Sequence, residues 1–158
     1  MRRTLVLLAL ALAACTRPSS VPPAGAQEER VIGVPAAVGS APMNVRVLLT
    51  PERGEGVYVT GPLAGEIRSL SGARIEVRGR RGPNRTLEAT DYDVLTVNGR
   101  PATMGVVERG TGGGLQLRTR DGRVIQLQAP PATFRPGMKV WVQGPGSITV
   151  QSYGVVRT

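Results

Sequence analysis

The stretch "GMKVWVQGPGSITVQSYGVV" at residues 137–156 echoes a longer one, "GARIEVRGRRGPNRTLEATDYDVL", at residues 72–95. Aligned, Gly72 falls on Gly137, Ile75 on Val140, Val77 on Val142 and Gly79 on Gly144. After a four-residue gap, Leu87 falls on Ile148, Tyr92 on Tyr153 and Val94 on Val155. Each copy reads as a strand, a glycine turn and a returning strand, with the same positions facing inward. Each also breaks its alternation at one place. Leu87 and Ala89 share one parity while Tyr92 and Val94 need the other, and Ile148, Val150, Tyr153 and Val155 behave alike. That break predicts a β-bulge near Thr90 and another near Gln151.

The text from about Asn44 to Thr158 continues in the same vein. Short runs such as "NVRVLL", "GVYVTG", "TMGVVERG" and "RVIQLQA" are rich in β-formers and bounded by Gly, Pro, Asp or Asn. Only "PLAGEIRSLSG" predicts a helix, near 63–70, with Pro62 in its first turn, Gly72 as its stop and Leu63, Ile67 and Leu70 on one face. In "LQLRTRDGRVIQL" a three-residue loop, 120–122, pairs Leu117 with Ile125 and Leu115 with Leu127, keeping all four on one face. A two-residue turn would slip the register and expose an apolar row, so the three-residue loop is expected, with Gly122 left-handed. Bulges and glycine kinks are what a small sheet uses to curl. Over residues 57–156 the order of strand, short helix or loop, "G-x-x-[IV]-x-V-x-G" strand and closing strand resembles the back half of an OB-type barrel. The fold class is therefore all-β, an OB-like small barrel or curved sandwich, read as an internal duplication.

The amino terminus, "MRRTLVLLALALAAC", has two arginines and then an apolar run too short to span a bilayer as a helix. A charged start, a short apolar middle and small residues describe a secretory signal peptide, 1–14. The ending "LAAC", Leu12-Ala13-Ala14-Cys15, resembles the lipobox of bacterial lipoproteins, and Cys15 is the one cysteine of the chain. The resemblance implies cleavage before Cys15, lipid on its thiol and acylation of the new amino group. Acyl chains at about 0.8 kcal/mol per buried methylene would hold the protein on a membrane without spanning it. Thr16, where an Asp retains such lipoproteins at the inner membrane, implies the outer membrane, facing the periplasm. Residues 15–43 are rich in Pro and small residues and read as a lipidated, extended tether; within it "VIGVPAAV" reads as an edge strand interrupted by Pro35. The expected units are 44–100 and 101–158, or one compact domain over 44–158.

Composition narrows the function. The chain has no His and one Cys, so His-based triads, Cys–His pairs and the usual zinc sets are excluded. The close carboxylates Asp91 and Asp93 have no His, Cys or Lys near them in sequence and are expected to pair with arginines. No cofactor, metal or enzymatic role is expected. Net charge is +9, falling to +7 once Arg2 and Arg3 leave with the signal peptide, and 19 of the 20 basic residues are Arg. Alternation turns Arg74, Arg78 and Arg80 outward, with Glu76 in the same row; Arg81 and Arg85 follow around the turn, and Arg118, Lys139 and Trp141 are outward in the second copy. An outward Trp beside cations is the chemistry of a face for sugars or anionic polymers. Nucleic acid is not an expected partner, because such binders use several stacking aromatics and this chain is exported. The sequence thus predicts an envelope binding module for an anionic or sugar-rich component, or alternatively an assembly lipoprotein that meets another envelope protein through sheet edges.

Overall fold

The computed structural model describes residues 28–40, 44–145 and 147–158. Cys15, the signal peptide and the tether up to residue 27 lie outside the described residues, as do residues 41–43. The regular secondary structure of the described residues is nearly all strand, in two antiparallel sheet systems that correspond to the two copies.

The first unit holds β1 (Glu28–Val38), β2 (Arg46–Pro51), β3 (Val57–Thr60), α1 (Ala64–Arg68), β4 (Arg74–Arg81) and β5 (Thr86–Val97). β1 pairs with β4 over its first half and with β2 over its second, Gly33 belonging to both ladders. β2 pairs with β3, and β4 with β5. The row β3-β2-β1-β4-β5 curls until its ends meet, residues 58–60 lying parallel to 86–88. This is an OB-like barrel, with α1 inserted between the third and fourth strands. Leu49, Ile75, Val77, Leu87 and Tyr92 fill it, and Ile67 of α1 is fully buried with them.

One expectation needs correction here. Residues 28–38 are not tether: the edge strand expected over 31–38 is present, but it begins at Glu28 and is the central strand of the first barrel, with a neighbour on each side. Its Gly, Pro and Ala content disguised it. Pro35 is tolerated because beyond Gly33 the strand has a neighbour on one side only, where a missing N–H is accepted.

A two-residue strand, β6 (Arg100–Pro101), folds back on β5 through Asn98 and Gly99, both at positive φ. The second unit follows with β7 (Thr103–Arg109), β8 (Leu115–Thr119), β9 (Val124–Gln126), β10 (Lys139–Gln143) and β11 (Ser152–Arg157). Its order is β11-β10-β7-β8-β9, and a single parallel bridge between Gln128 and Thr149 joins the ends. The circular order is that of the first barrel. Equivalences hold residue by residue: Val31 faces Val77 and Gly33 faces Ile75, as Thr103 faces Val142 and Gly105 faces Val140. Val77 pairs with Tyr92 and Ile75 with Val94, as Val142 with Tyr153 and Val140 with Val155. The duplication read in the sequence is thus a duplication of topology and register.

The bulge at Thr90 is present, since Arg78 pairs with Asp91 while Gly79 pairs with Ala89. In the second unit the ladder stops at Gln143 and Ser152, and the Gln151 N–H reaches back to the Gln143 carbonyl at 2.9 Å. A further bulge, at Leu95 and again at Val156, recurs in both copies. The 115–127 hairpin has the expected register, with Leu117 opposite Ile125 and Gly122 at φ +82°. The predicted helix is α1, shorter than expected at Ala64–Arg68; Ile67 is its buried residue, and Leu70, just beyond its end, is buried as well.

The copies differ in what fills them. Among the described residues the second barrel has no helix where the first has α1; Phe134 takes part of that space, edge-on to Tyr153 with ring centres 5.1 Å apart. Tyr92 is fully buried, whereas Tyr153 is 41% exposed.

Candidate functional site: the cleft between the barrels

The cations expected to form one face do not form a free one. Glu76 lies in the outward row of β4 and is nevertheless buried, because the second unit docks over that face. Arg30 and Arg78 pair with it, Arg78 at 2.8 Å, and Arg120 from the β8–β9 loop approaches to 3.8 Å. Arg74 reaches Glu52 at 2.9 Å, Arg80 reaches Glu88 at 3.1 Å and Arg85 reaches Glu55 at 3.3 Å. Arg81 pairs with Glu29, Arg118 with Glu108 at 2.7 Å, and Lys139 with Glu66 at 3.3 Å. Every cation of that set is therefore neutralised by a carboxylate.

Trp141 does not stand out on an open surface either. Its ring lies across Gly154, its cross-strand partner, and packs against the core of the first barrel, as Val156 does. The outer face of β10 is where the first barrel sits, so the outward Trp becomes a seam residue.

Between the barrels runs a cleft of about 410 Å³. From the first unit it takes Glu76, Arg78 and Asp93, and from the second Met104, Thr119 and Arg120. Asp121 and Arg123 complete its charged lining, so three carboxylates face three guanidiniums. A smaller cleft of about 260 Å³ shares Met104, Thr119 and Arg120 and extends the seam toward Tyr92, Arg118 and Lys139. Sequence reasoning missed Arg120 and Asp93 as site residues. Arg120 sits in a turn whose geometry was legible, but neither copy's internal pattern shows where the other docks.

The seam's electrostatics follow from burial and pairing. Burial alone would raise the Glu76 carboxyl, yet hydrogen bonds from Arg78 and Arg30 hold it below the ordinary value. Burial likewise opposes ionisation of Glu66 on α1, and the Tyr92 hydroxyl (2.6 Å), Lys139 and Arg157 outweigh it, leaving it lowered. Asp91 pairs with Arg120 at 2.5 Å, as expected for that carboxylate. Asp93 does not follow. Burial pushes its carboxyl up, a hydrogen bond from the Val94 N–H offsets only part, and among the described residues it has no ion-pair partner. Asp93 is therefore an acceptor on the cleft wall with capacity to spare. Among the described residues no group of three or more His, Cys, Asp or Glu is arranged to hold a metal.

Comparison with known proteins gave no match: no family model, no curated protein and no solved structure is significantly similar to the chain.

Proposed function

We propose that this chain is a lipid-anchored envelope binding module, held at the outer membrane through Cys15, with the inter-barrel cleft as its ligand site. Its ligand is a neutral, hydroxyl-rich segment of an envelope glycan. The observation that carries this reading is the charge-balanced cleft in which the Asp93 carboxylate has no side-chain partner. Sugar hydroxyls both donate and accept, and a wall alternating carboxylate and guanidinium meets both needs while Met104 supplies apolar floor. An anionic polymer at the same place would have to break existing ion pairs, which favours the sugar over the anion here. Binding rather than catalysis fits, because Asp91 is committed to Arg120.

The test is a titration of the mature chain with an uncharged glycan fragment, an N-acetylglucosamine oligosaccharide, and with lipopolysaccharide at several salt concentrations. Salt-insensitive binding of the uncharged fragment, weakened about tenfold or more by Asp93→Ala, supports the reading. Binding of lipopolysaccharide alone, steeply salt-dependent and indifferent to Asp93→Ala, ends it. A second reading, assembly with another envelope protein, draws on Tyr153 and Val155, large apolar residues left 41% and 42% exposed on β11. One stoichiometric co-purifying protein, lost in Tyr153→Ser, would favour it.

A further inference from the structure

Sixteen arginines lie among the described residues, and ten of them reach a carboxylate within ion-pair distance. Arg46 and Arg68 do not. Both are exposed, both line the same groove of about 310 Å³ on the first barrel, and no carboxylate lines it with them. The groove shares no residue with either cleft of the seam.

The two cations arrive from different elements. Arg46 opens β2, and its guanidinium carbon lies 3.8 Å from the centre of the Tyr58 ring on the neighbouring strand. That stacking uses the flat face of the guanidinium and leaves its edge of N–H donors free. Arg68 closes α1 on the opposite side of the groove wall formed by Ala64 and Gly65. Gly65 has open space where a side chain would stand, so the backbone there does not obstruct a ligand. Thr60 adds a hydroxyl, and Val47 and Val59 add apolar surface. Among the described residues neither guanidinium donates a hydrogen bond to the protein, whereas Arg30, Arg78, Arg80, Arg81 and Arg85 of this barrel do.

We propose that this groove binds a phosphate group, gripped between the Arg46 and Arg68 guanidiniums. Planar guanidinium forks match the oxygens of a phosphate two at a time, and two of them balance a phosphomonoester dianion. The volume exceeds that of a phosphate alone and admits an attached sugar ring or glycerol against Val47 and Val59. This contrasts with the balanced seam cleft, where acids and bases are matched. The carrier of the phosphate is either a phosphorylated sugar or a phospholipid headgroup of the membrane surface.

The experiment uses the chain from residue 15 with Cys15→Ser, so that no acyl anchor intervenes. Calorimetric titrations with inorganic phosphate, glucose 1-phosphate and glucose are run beside flotation with phosphatidylcholine vesicles, plain or doped with phosphatidic acid. We expect glucose 1-phosphate to bind and glucose not to bind in this groove. Arg46→Gln and Arg68→Gln should each weaken binding about tenfold or more, and the pair together should abolish it. Arg46→Lys, which keeps the charge but loses the fork, should also weaken it, whereas Arg80→Gln should not. Preference for the soluble sugar phosphate assigns the first carrier; flotation with phosphatidic acid that needs Arg46 and Arg68, with only weak free binding, assigns the second. Unchanged affinity in the double variant, or an equal loss in Arg80→Gln, overturns the proposal. Because Asp93→Ala acts only on the cleft, failure at either place leaves the other standing.

Discussion

Tyr92 and Tyr153 occupy the same register in the two copies, opposite Val77 and Val142, yet one is fully buried and the other is not. Their register was legible in the sequence because strand parity and glycine spacing fix it. Their burial was not, because it depends on what lies over the barrel mouth. Over Tyr92 that is α1, whose Glu66 accepts the phenol hydrogen bond and so also draws in Lys139, 3.7 Å from the ring centre. Truncation should therefore be unequal: Tyr92→Ala should cost about 3–5 kcal/mol in urea denaturation, and Tyr153→Ala on the order of 1 kcal/mol. Tyr92→Phe should cost about 1.5–3 kcal/mol, since its acceptor is a carboxylate. Equal losses at the two alanine variants would mean that α1 does not close the first barrel. Metabolic labelling with an alkyne fatty acid should mark the wild type, and Cys15→Ser should lose both label and membrane retention.

Among the elements, the legible ones were those whose local pattern suffices. The 115–127 hairpin declares its loop through the apolar rows it must align, and α1 declares itself through Leu63, Ile67 and Leu70 bounded by Pro62 and Gly72. β1 was legible only as an edge strand over 31–38; its start at Glu28 and its central place were not, because it looks like the Pro- and Ala-rich text before it and its role is to serve two ladders at once. A fragment beginning at residue 44 would lack that strand and leave β2 and β4 each with an open edge. Such a fragment should be unfolded or aggregated by circular dichroism and gel filtration, whereas 28–158 should be folded and monodisperse. A well-folded 44–158 fragment would return β1 to the tether. The duplication adds a paired test. A side chain at Gly79 would fall inside contact distance of the Glu88 carbonyl oxygen, and one at Gly144 would do the same to the Thr149 carbonyl oxygen, at the equivalent position of each copy. Gly79→Ala and Gly144→Ala should thus both destabilise by backbone displacement, about 1–3 kcal/mol each, read as a loss in urea midpoint at constant slope.

At the scale of the whole molecule, ion pairs and a few packed side chains hold the two barrels together. Lys139 and Arg157 of the second unit reach Glu66 of the first, and Arg120 reaches Glu76 and Asp91. Gln143 donates to the carbonyls of Val97 and Arg100 at 3.0 and 2.8 Å. None of this is encoded in either repeat alone, which explains why the docking that takes up Trp141 and Arg78 at the seam was not legible in the sequence. The titrations have definite signs. Glu66 and Glu76 are lowered in the folded state, so their contribution is present above the ordinary carboxylate range and is lost as pH falls through their folded values. Asp93 is raised, so its contribution is present at low pH and lost as pH rises through its folded value. Asp93→Asn should therefore stabilise the protein at pH 7 and leave it little changed in acid. The acid response of the seam can be followed separately from the barrels, because the single Trp of the chain, Trp141, packs against the first barrel's core from the second. On acidification below about pH 4.5, Trp141 emission should shift to the red before far-ultraviolet circular dichroism changes, as the ion pairs go while the strands remain. In Glu66→Gln, which keeps a hydrogen-bond acceptor for Tyr92 but no charge for Lys139 and Arg157, that early shift should begin at higher pH. Coincident fluorescence and dichroism transitions, unmoved by Glu66→Gln, would show that apolar packing rather than charge holds the barrels together.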